Sequence, residues 1–168
     1  MRNQLITLAA CLSVFSFTAC KNTQKAATTP SATTAPSTAE ELVTTMSVPE
    51  KVKVGSPIML KFTVNNNSGK ELQFCKWHTP FEKFMNSYFD IQDSKGEAVM
   101  YKGIMAKRIM PPPAEAYIKV PAKGKVSSEI DLLTGYRITA PGTYKLTYQD
   151  SGMSGLTKVN EVTFTVTE

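Results

Sequence analysis

From Leu42 onward the apolar residues recur at every second position. Ile58, Leu60, Phe62 and Val64 alternate with Met59, Lys61, Thr63 and Asn65, and a polar turn follows at Asn65-Asn66-Asn67-Ser68-Gly69-Lys70. Leu72 and Phe74 alternate with Gln73 and Cys75. Phe89 and Ile91 lead into the turn Asp93-Ser94-Lys95-Gly96, after which Ala98, Val99 and Tyr101 read as a returning strand. Val126, Ser128, Ile130 and Leu132 form another alternating run. So do Tyr144, Leu146 and Tyr148, and Val162, Phe164 and Val166. Period two with turn residues between the runs specifies short strands, each with one face buried. No helical period extends beyond two turns; Phe81 to Tyr88 is long enough for one helical turn. The expectation is an all-β antiparallel β-sandwich of about seven to nine strands over residues 42–168.

Two local features point to the immunoglobulin-like version of that sandwich. In Ala140-Pro141-Gly142-Thr143-Tyr144-Lys145-Leu146 a Tyr follows a Gly turn and precedes a buried position by two residues. That is the layout of a tyrosine corner, with Leu146 where antibody domains carry Cys. Trp77 closes the run begun at Leu72, near the place where such folds hold a core Trp. Both are also read simply as core residues.

The first forty-one residues have a different character. A basic start (Met1-Arg2) precedes an apolar stretch from Leu5 to Phe17, and Thr18-Ala19-Cys20 follows. This layout reads as a secretory signal, residues 1–19, of the bacterial lipoprotein kind. Cys20 is then the lipidated residue, and Lys21 after it favours the outer membrane. The implied localisation is the bacterial cell envelope, with membrane lipid engaged through Cys20 and no spanning segment. Residues 20–41 are almost entirely Thr, Ala, Ser, Pro, Lys and Gln with no aromatic residue, a composition too polar to build a core. As a semi-extended tether they would reach up to about 60 Å at roughly 3 Å per residue.

Charge and cysteines narrow the function classes. The chain has 19 Lys and Arg against 14 Asp and Glu, a formal charge of +5. Its Lys residues are scattered singly, so nucleic acid is not an expected partner. Of three Cys, Cys75 alone lies in the folded region, which leaves no internal disulfide and makes packing the source of stability.

The candidate chemistry centres on Cys75-Lys76-Trp77-His78-Thr79-Pro80-Phe81-Glu82, which carries the single Trp and single His. One His cannot build the H-E-x-x-H zinc motif. Cys75 and His78, three apart, project to opposite faces of a strand and have no evident orienting group, so no catalytic residue is assigned. Copper carriage by His78 with Met side chains is a weighed alternative, but the Met residues lack tight M-x-M or H-x-M spacing, and no metal ligand or cofactor is assigned. The second unusual stretch runs from Lys102 to Glu115. Pro111-Pro112-Pro113 excludes a central strand or helix there, while Ile104, Met105, Ile109 and Met110 flank the basic pair Lys107-Arg108. It reads either as a recognition loop or as an apolar cover over the sandwich edge.

Taken in order, Lys76 to Glu82, Phe89, Gly96 to Tyr101, Lys107-Arg108, Pro112 to Tyr117 and Pro141-Gly142-Thr143-Tyr144 resemble the N-terminal propeptide-like domain of bacterial peptidyl-lysine metalloendopeptidases of the deuterolysin (aspzincin) type. The resemblance covers about residues 45–150. In that family a zincin domain follows, whereas here the chain ends at Glu168 without a zinc motif, so the resemblance implies a stand-alone prodomain-like module. A looser likeness to immunoglobulin-like proteinase inhibitors rests on the Asn-rich turn, on Phe89 to Gly96 and on the final Pro-Gly-Thr-Tyr. The resulting expectation is a non-catalytic, lipid-anchored protein-binding module that engages a protease, by binding or by inhibiting it, or another envelope protein. Its contact face would be Trp77, His78, Phe81, Lys107 and Arg108. A copper carrier and a purely structural envelope lipoprotein are the alternatives.

Overall fold

The computed structural model describes residues 41–168; the expected signal, Cys20 and the tether up to residue 40 lie outside the described residues. Ten strands follow in order: β1 (Leu42–Ser47), β2 (Lys51–Lys53), β3 (Met59–Asn66), β4 (Leu72–Cys75), β5 (Phe89–Gln92), β6 (Tyr117–Val120), β7 (Lys125–Asp131), β8 (Gly142–Tyr148), β9 (Lys158–Val159) and β10 (Val162–Thr167). One sheet has the order β7-β3-β1-β9 and the other β2-β10-β8-β5, with β4 and β6 forming a separate ribbon. Among the described residues there is no α-helix, only short 3₁₀ turns. The fold is the all-β sandwich that the alternation predicts, with one strand more than the upper expected count.

Alternation explains the core. Leu42 and Met46 of β1, Leu60, Phe62 and Val64 of β3, Leu146 of β8 and Phe164 of β10 are buried in a single cluster shared by both sheets. Each large side chain removed from water contributes about 1.5–3 kcal/mol. The first strand then changes sheets. β1 pairs antiparallel with β3 until Ser47↔Lys61, and Pro49, which has no N–H to donate, interrupts the ladder. Beyond it β2 runs parallel to β10, from Thr165↔Lys51 to Thr167↔Lys53.

Tyr144 near the start of β8 is buried, and its hydroxyl donates to Ala140 O at 2.8 Å, tying the turn to the strand as a tyrosine corner does. Two expectations need correction. The stretch Ala98 to Tyr101 is not a strand. It makes single bridges, Gln92↔Ala98 and Tyr101↔Tyr136. Its backbone bonds are divided between Val99 N–H to Ile91 O (2.7 Å) and Arg137 N–H to Met100 O (3.0 Å), so no continuous ladder forms. Trp77 is not part of the main core. β4 ends at Cys75, and Trp77 lies beyond it in a second cluster with Cys75 and Ala116, covered by Tyr117 and Met153.

Candidate functional site

The site begins where β4 stops. Lys76 N–H still donates to Ala116 O beside β6 (2.8 Å), and then the chain turns sharply at His78, whose φ of 59° is left-handed. A non-glycine residue there is strained unless its surroundings hold it. Tyr148 of β8 helps to hold it: its hydroxyl donates to His78 O at 2.9 Å and lies 2.7 Å from Ser154 Oγ. Thr79 caps the 3₁₀ turn Pro80–Glu82, accepting from Phe81 N–H (3.3 Å) while donating to Lys76 O (2.5 Å). Ser128 Oγ of β7 donates to Pro80 O at 3.0 Å and fixes this turn on the first sheet.

Glu82 is the hinge of the arrangement. Its side chain is 6% exposed. One carboxylate oxygen accepts from His78 N–H at 2.6 Å, and the other accepts from Arg108 Nη2. The Arg108 guanidinium, 18% exposed at the side chain, also lies over the Trp77 ring, with Cζ 4.8 Å from its centroid. Carboxylate, guanidinium and indole thus form one clamp joining positions 77 and 82 to position 108 of the long loop. Charge-assisted bonding and the cation–π contact both gain strength where water is excluded.

The structure therefore brings Trp77, His78 and Arg108 together, but it does not present them as one open face. Trp77 is only 8% exposed, so it acts as the floor under Arg108 rather than as a free aromatic anchor. Phe81 turns the other way into the main core, with ring centroids 5.3 Å from Phe74 and 6.3 Å from Phe62. Lys107 is exposed. Glu82 was visible in the sequence only as part of the Trp77-to-Glu82 motif. Its signal was the Thr-x-x-Glu spacing of a capping box. The fold uses a shifted version of it, with the carboxylate on His78 N–H instead of the capping residue's own N–H.

His78 is half-buried, and both ring nitrogens are engaged. Asn86 Nδ2 donates to Nε2 at 3.1 Å, which leaves the proton on Nδ1 to donate to Ser151 Oγ at 2.7 Å. Burial holds this imidazole below the ordinary histidine value; the Glu82 carboxylate opposes that shift and Arg108 reinforces it. Burial likewise pushes the Cys75 thiol up, which suits an inert packing group and not a thiolate nucleophile. The one ligating lone pair of this tautomer, on Nε2, accepts from Asn86 and is not free for a copper ion. Among the described residues no three His, Cys, Asp or Glu side chains gather at metal-ligating range.

The loop held by the clamp does not serve as a cover. Ile104, Met105, Ile109 and Met110 are exposed, Ile109 by 87% and Met105 by 66%. At its base an open cavity of about 650 Å³ lies between the loop and the first sheet, lined among others by Met59, Phe84, Met85, Ile104 and Ile130. Tyr101 supports the loop root, its hydroxyl 2.8 Å from Ile104 O and 3.2 Å from Phe84 O. Burial raises this phenol's pKa to about 12 and keeps it a donor.

Comparison with known proteins gives three kinds of match. An uncharacterized secreted protein of Arthroderma benhamiae is 31% identical over 113 residues, 66% of this chain and 58% of its own length. A neutral protease 2 homolog of Arthroderma gypseum is 27% identical over 116 residues, covering 68% of this chain and 30% of that protein. This chain thus spans just over half of the first relative and under a third of the second. Among solved structures, Pseudomonas fluorescens alkylpurine DNA glycosylase AlkC bound to DNA containing an abasic site analog aligns at TM-score 0.39 and 13% identity, over 76% of this chain and 31% of that one, a likeness too low to carry an argument. A family profile described as immunoglobulin-like domain matches residues 45–152, more than half of the 168-residue chain. With the two-sheet sandwich and its tyrosine corner in place, the chain belongs to this immunoglobulin-like domain family.

Proposed function

We propose that this protein is an exported, non-catalytic binding module whose partner is a peptidase. The observation that carries this reading is the loop from Lys102 to Pro113. It exposes Ile104, Met105, Ile109 and Met110 around Lys107, yet it is held to the sandwich by the Glu82–Arg108–Trp77 clamp. Apolar side chains kept in solvent on a restrained loop are a contact surface, and restraint lowers the entropy lost when a partner binds. One relative is named a secreted protein and the other a protease homolog, which supports export and association with peptidases.

The finer reading adds the sequence features. Residues 1–19 are a signal, Cys20 carries lipid, residues 20–41 are a tether, and residues 42–168 form a prodomain-like module held at a bacterial outer membrane. The working face is then the loop with Lys107 at its tip and His78 at its margin, while Trp77, Phe81 and Arg108 support it from within. The test uses the full chain against purified secreted metallo- and serine peptidases, with complex formation measured by surface-immobilised binding. Retention of at least one peptidase at micromolar concentration is expected. If none binds, the module is not peptidase-directed. Radiolabelled palmitate in a bacterial expression host tests the anchor: loss of label in Cys20→Ala is expected, and a wild-type chain that takes up no label sinks that part.

A further inference from the structure

We propose that residues 104–110 are a substrate-like loop, with Lys107 as the side chain inserted into the specificity pocket of a peptidase that selects basic residues. This rests on the reading that the protein binds peptidases, and adds which bond and which side chain are presented.

The first support is the alternation within the loop. From position 105 to 109, Ala106 and Arg108 are half-buried whereas Met105, Lys107 and Ile109 are exposed; Ile104 and Met110 at the two ends are exposed as well. That is the period of an extended segment with one free face. Ala106 N–H donates to Met85 O at 2.8 Å, and among the described residues it is the one backbone donor between Gly103 and Met110 with a backbone acceptor. Apart from Ile104 O, which accepts from the Tyr101 hydroxyl at 2.8 Å, the segment keeps its other main-chain groups for a partner to pair with. Peptide recognition by strand addition uses such a segment: main-chain bonds give affinity and alternate side chains give specificity.

The second support is the way Lys107 is bracketed. On one side Ala106 is bonded to Met85, and on the other Arg108 is clamped by Glu82 and Trp77. Lys107 itself has no ion-pair partner among the described residues, and the neighbouring carboxylate of Glu82 is committed to Arg108. A free ammonium at the apex of a restrained extended loop complements an acidic pocket. Arg108, turned inward, is withheld from it. The bond presented is Lys107–Arg108. Its hydrolysis adds hydroxyl from water to the Lys107 carbonyl carbon and hydrogen to the Arg108 nitrogen. Both new ends remain tied to the sandwich, one through Ala106 and the other through the clamp. The cleaved ends stay adjacent, product release is slow, and the loop inhibits instead of being consumed.

Bovine-type trypsin, whose pocket carries an aspartate, is the probe. The full chain is titrated against trypsin hydrolysing a small chromogenic lysine substrate. The expected result is one-to-one inhibition, weakened about 30-fold or more by Lys107→Ala. Lys107→Leu should lose trypsin and gain chymotrypsin. Lys107 is exposed and unpaired, so these variants should fold as the parent does. Glu82→Gln should turn the inhibitor into a substrate cut between positions 107 and 108, detected by mass spectrometry. Wild-type chain that neither inhibits trypsin nor is cut at that bond overturns the proposal, as does undiminished inhibition by Lys107→Ala. If a peptidase from the wider panel binds Lys107→Ala and wild type alike, the binding module stands and the Lys107 assignment falls. If no peptidase binds at all, the underlying reading fails first.

Discussion

Replacing Glu82 by Gln removes one charge from a pair whose side chains are 6% and 18% exposed. Breaking a buried ion pair by deleting one partner costs about 3–5 kcal/mol, because the remaining charge is stranded. Arg108 is the stranded group here. Its Nε already has no hydrogen-bond partner, so only the Trp77 ring would be left to offset its desolvation. The partial exposure of Arg108 gives water some access and places the cost near the lower bound, about 3 kcal/mol. Arg108→Met should cost a similar amount, since the Glu82 carboxylate would keep only the His78 N–H. Combining Glu82→Gln with Arg108→Met removes both charges and should recover most of the loss, giving a coupling energy of about 2 kcal/mol or more. Urea unfolding followed by Trp77 fluorescence is the assay. The single tryptophan lies against the guanidinium, so its emission reports the clamp as well as the global transition. Single variants that each cost under about 0.5 kcal/mol, or a double variant that equals the sum of the singles, would show that the clamp contributes nothing to holding the loop.

Three further outcomes follow from individual contacts. Phe81→Ala should lower stability by about 3 kcal/mol in the same urea assay, because its ring packs against Phe62 and Phe74; an unchanged midpoint would restore it to the surface. Gly135→Ala should cost about 1–3 kcal/mol, since a Cβ there would lie 2.5 Å from the Phe84 ring, and a cost below about 0.3 kcal/mol would mean that this ring moves freely. His78 has a depressed value in the fold, so the unfolded chain takes up its proton first as pH falls. Stability from this group is full above its ordinary value of about 6.5 and is lost as pH falls through that value toward the folded one. The groups facing the ring are Asn86, Ser151, Glu82 and Arg108, and His78→Gln should flatten the fall in urea midpoint between about pH 7 and pH 5. An equal fall in the variant would assign the effect to carboxylates.

The strands were legible because one face of each is buried, and that alone imposes period two. β3 and β8 show it plainly, with Leu60, Phe62 and Val64 in the one and Tyr144 and Leu146 in the other. Pairing partners were less legible. Ala98 to Tyr101 has strand composition, yet its bonds divide between Ile91 and Arg137, a choice made by chain segments far away in sequence. Within the site, Trp77 and Arg108 both looked like interface anchors by residue type. Their inward placement depends on a carboxylate 26 positions from Arg108, and no local pattern states that. Phe81 shows the same limit in reverse. The turn at Pro80 sets its direction, and the sequence alone gave no reason to prefer core over rim.

Within the segment from Trp77 to Glu82 each residue has a structural part: cation–π floor, left-handed turn, cap, turn starter, core plug and clamp, with His78 also at the margin of the proposed face. Every one of its side chains is committed inward or to a neighbour. What it supports is a loop whose outward residues, Met105, Lys107 and Ile109, are not so committed. If those residues belonged to the fold, changing them would cost stability. If the fold only displays them, Met105→Ser, Lys107→Ser and Ile109→Ser combined should leave the urea midpoint within about 0.5 kcal/mol of the parent, the range of surface substitutions away from special features. The contrast with Phe81→Ala is the informative quantity. A loss of about 2 kcal/mol or more in the triple variant would return the loop to a covering role. A neutral triple variant that no longer binds its peptidase would separate display from support, with the clamp on one side of that division and the exposed face on the other.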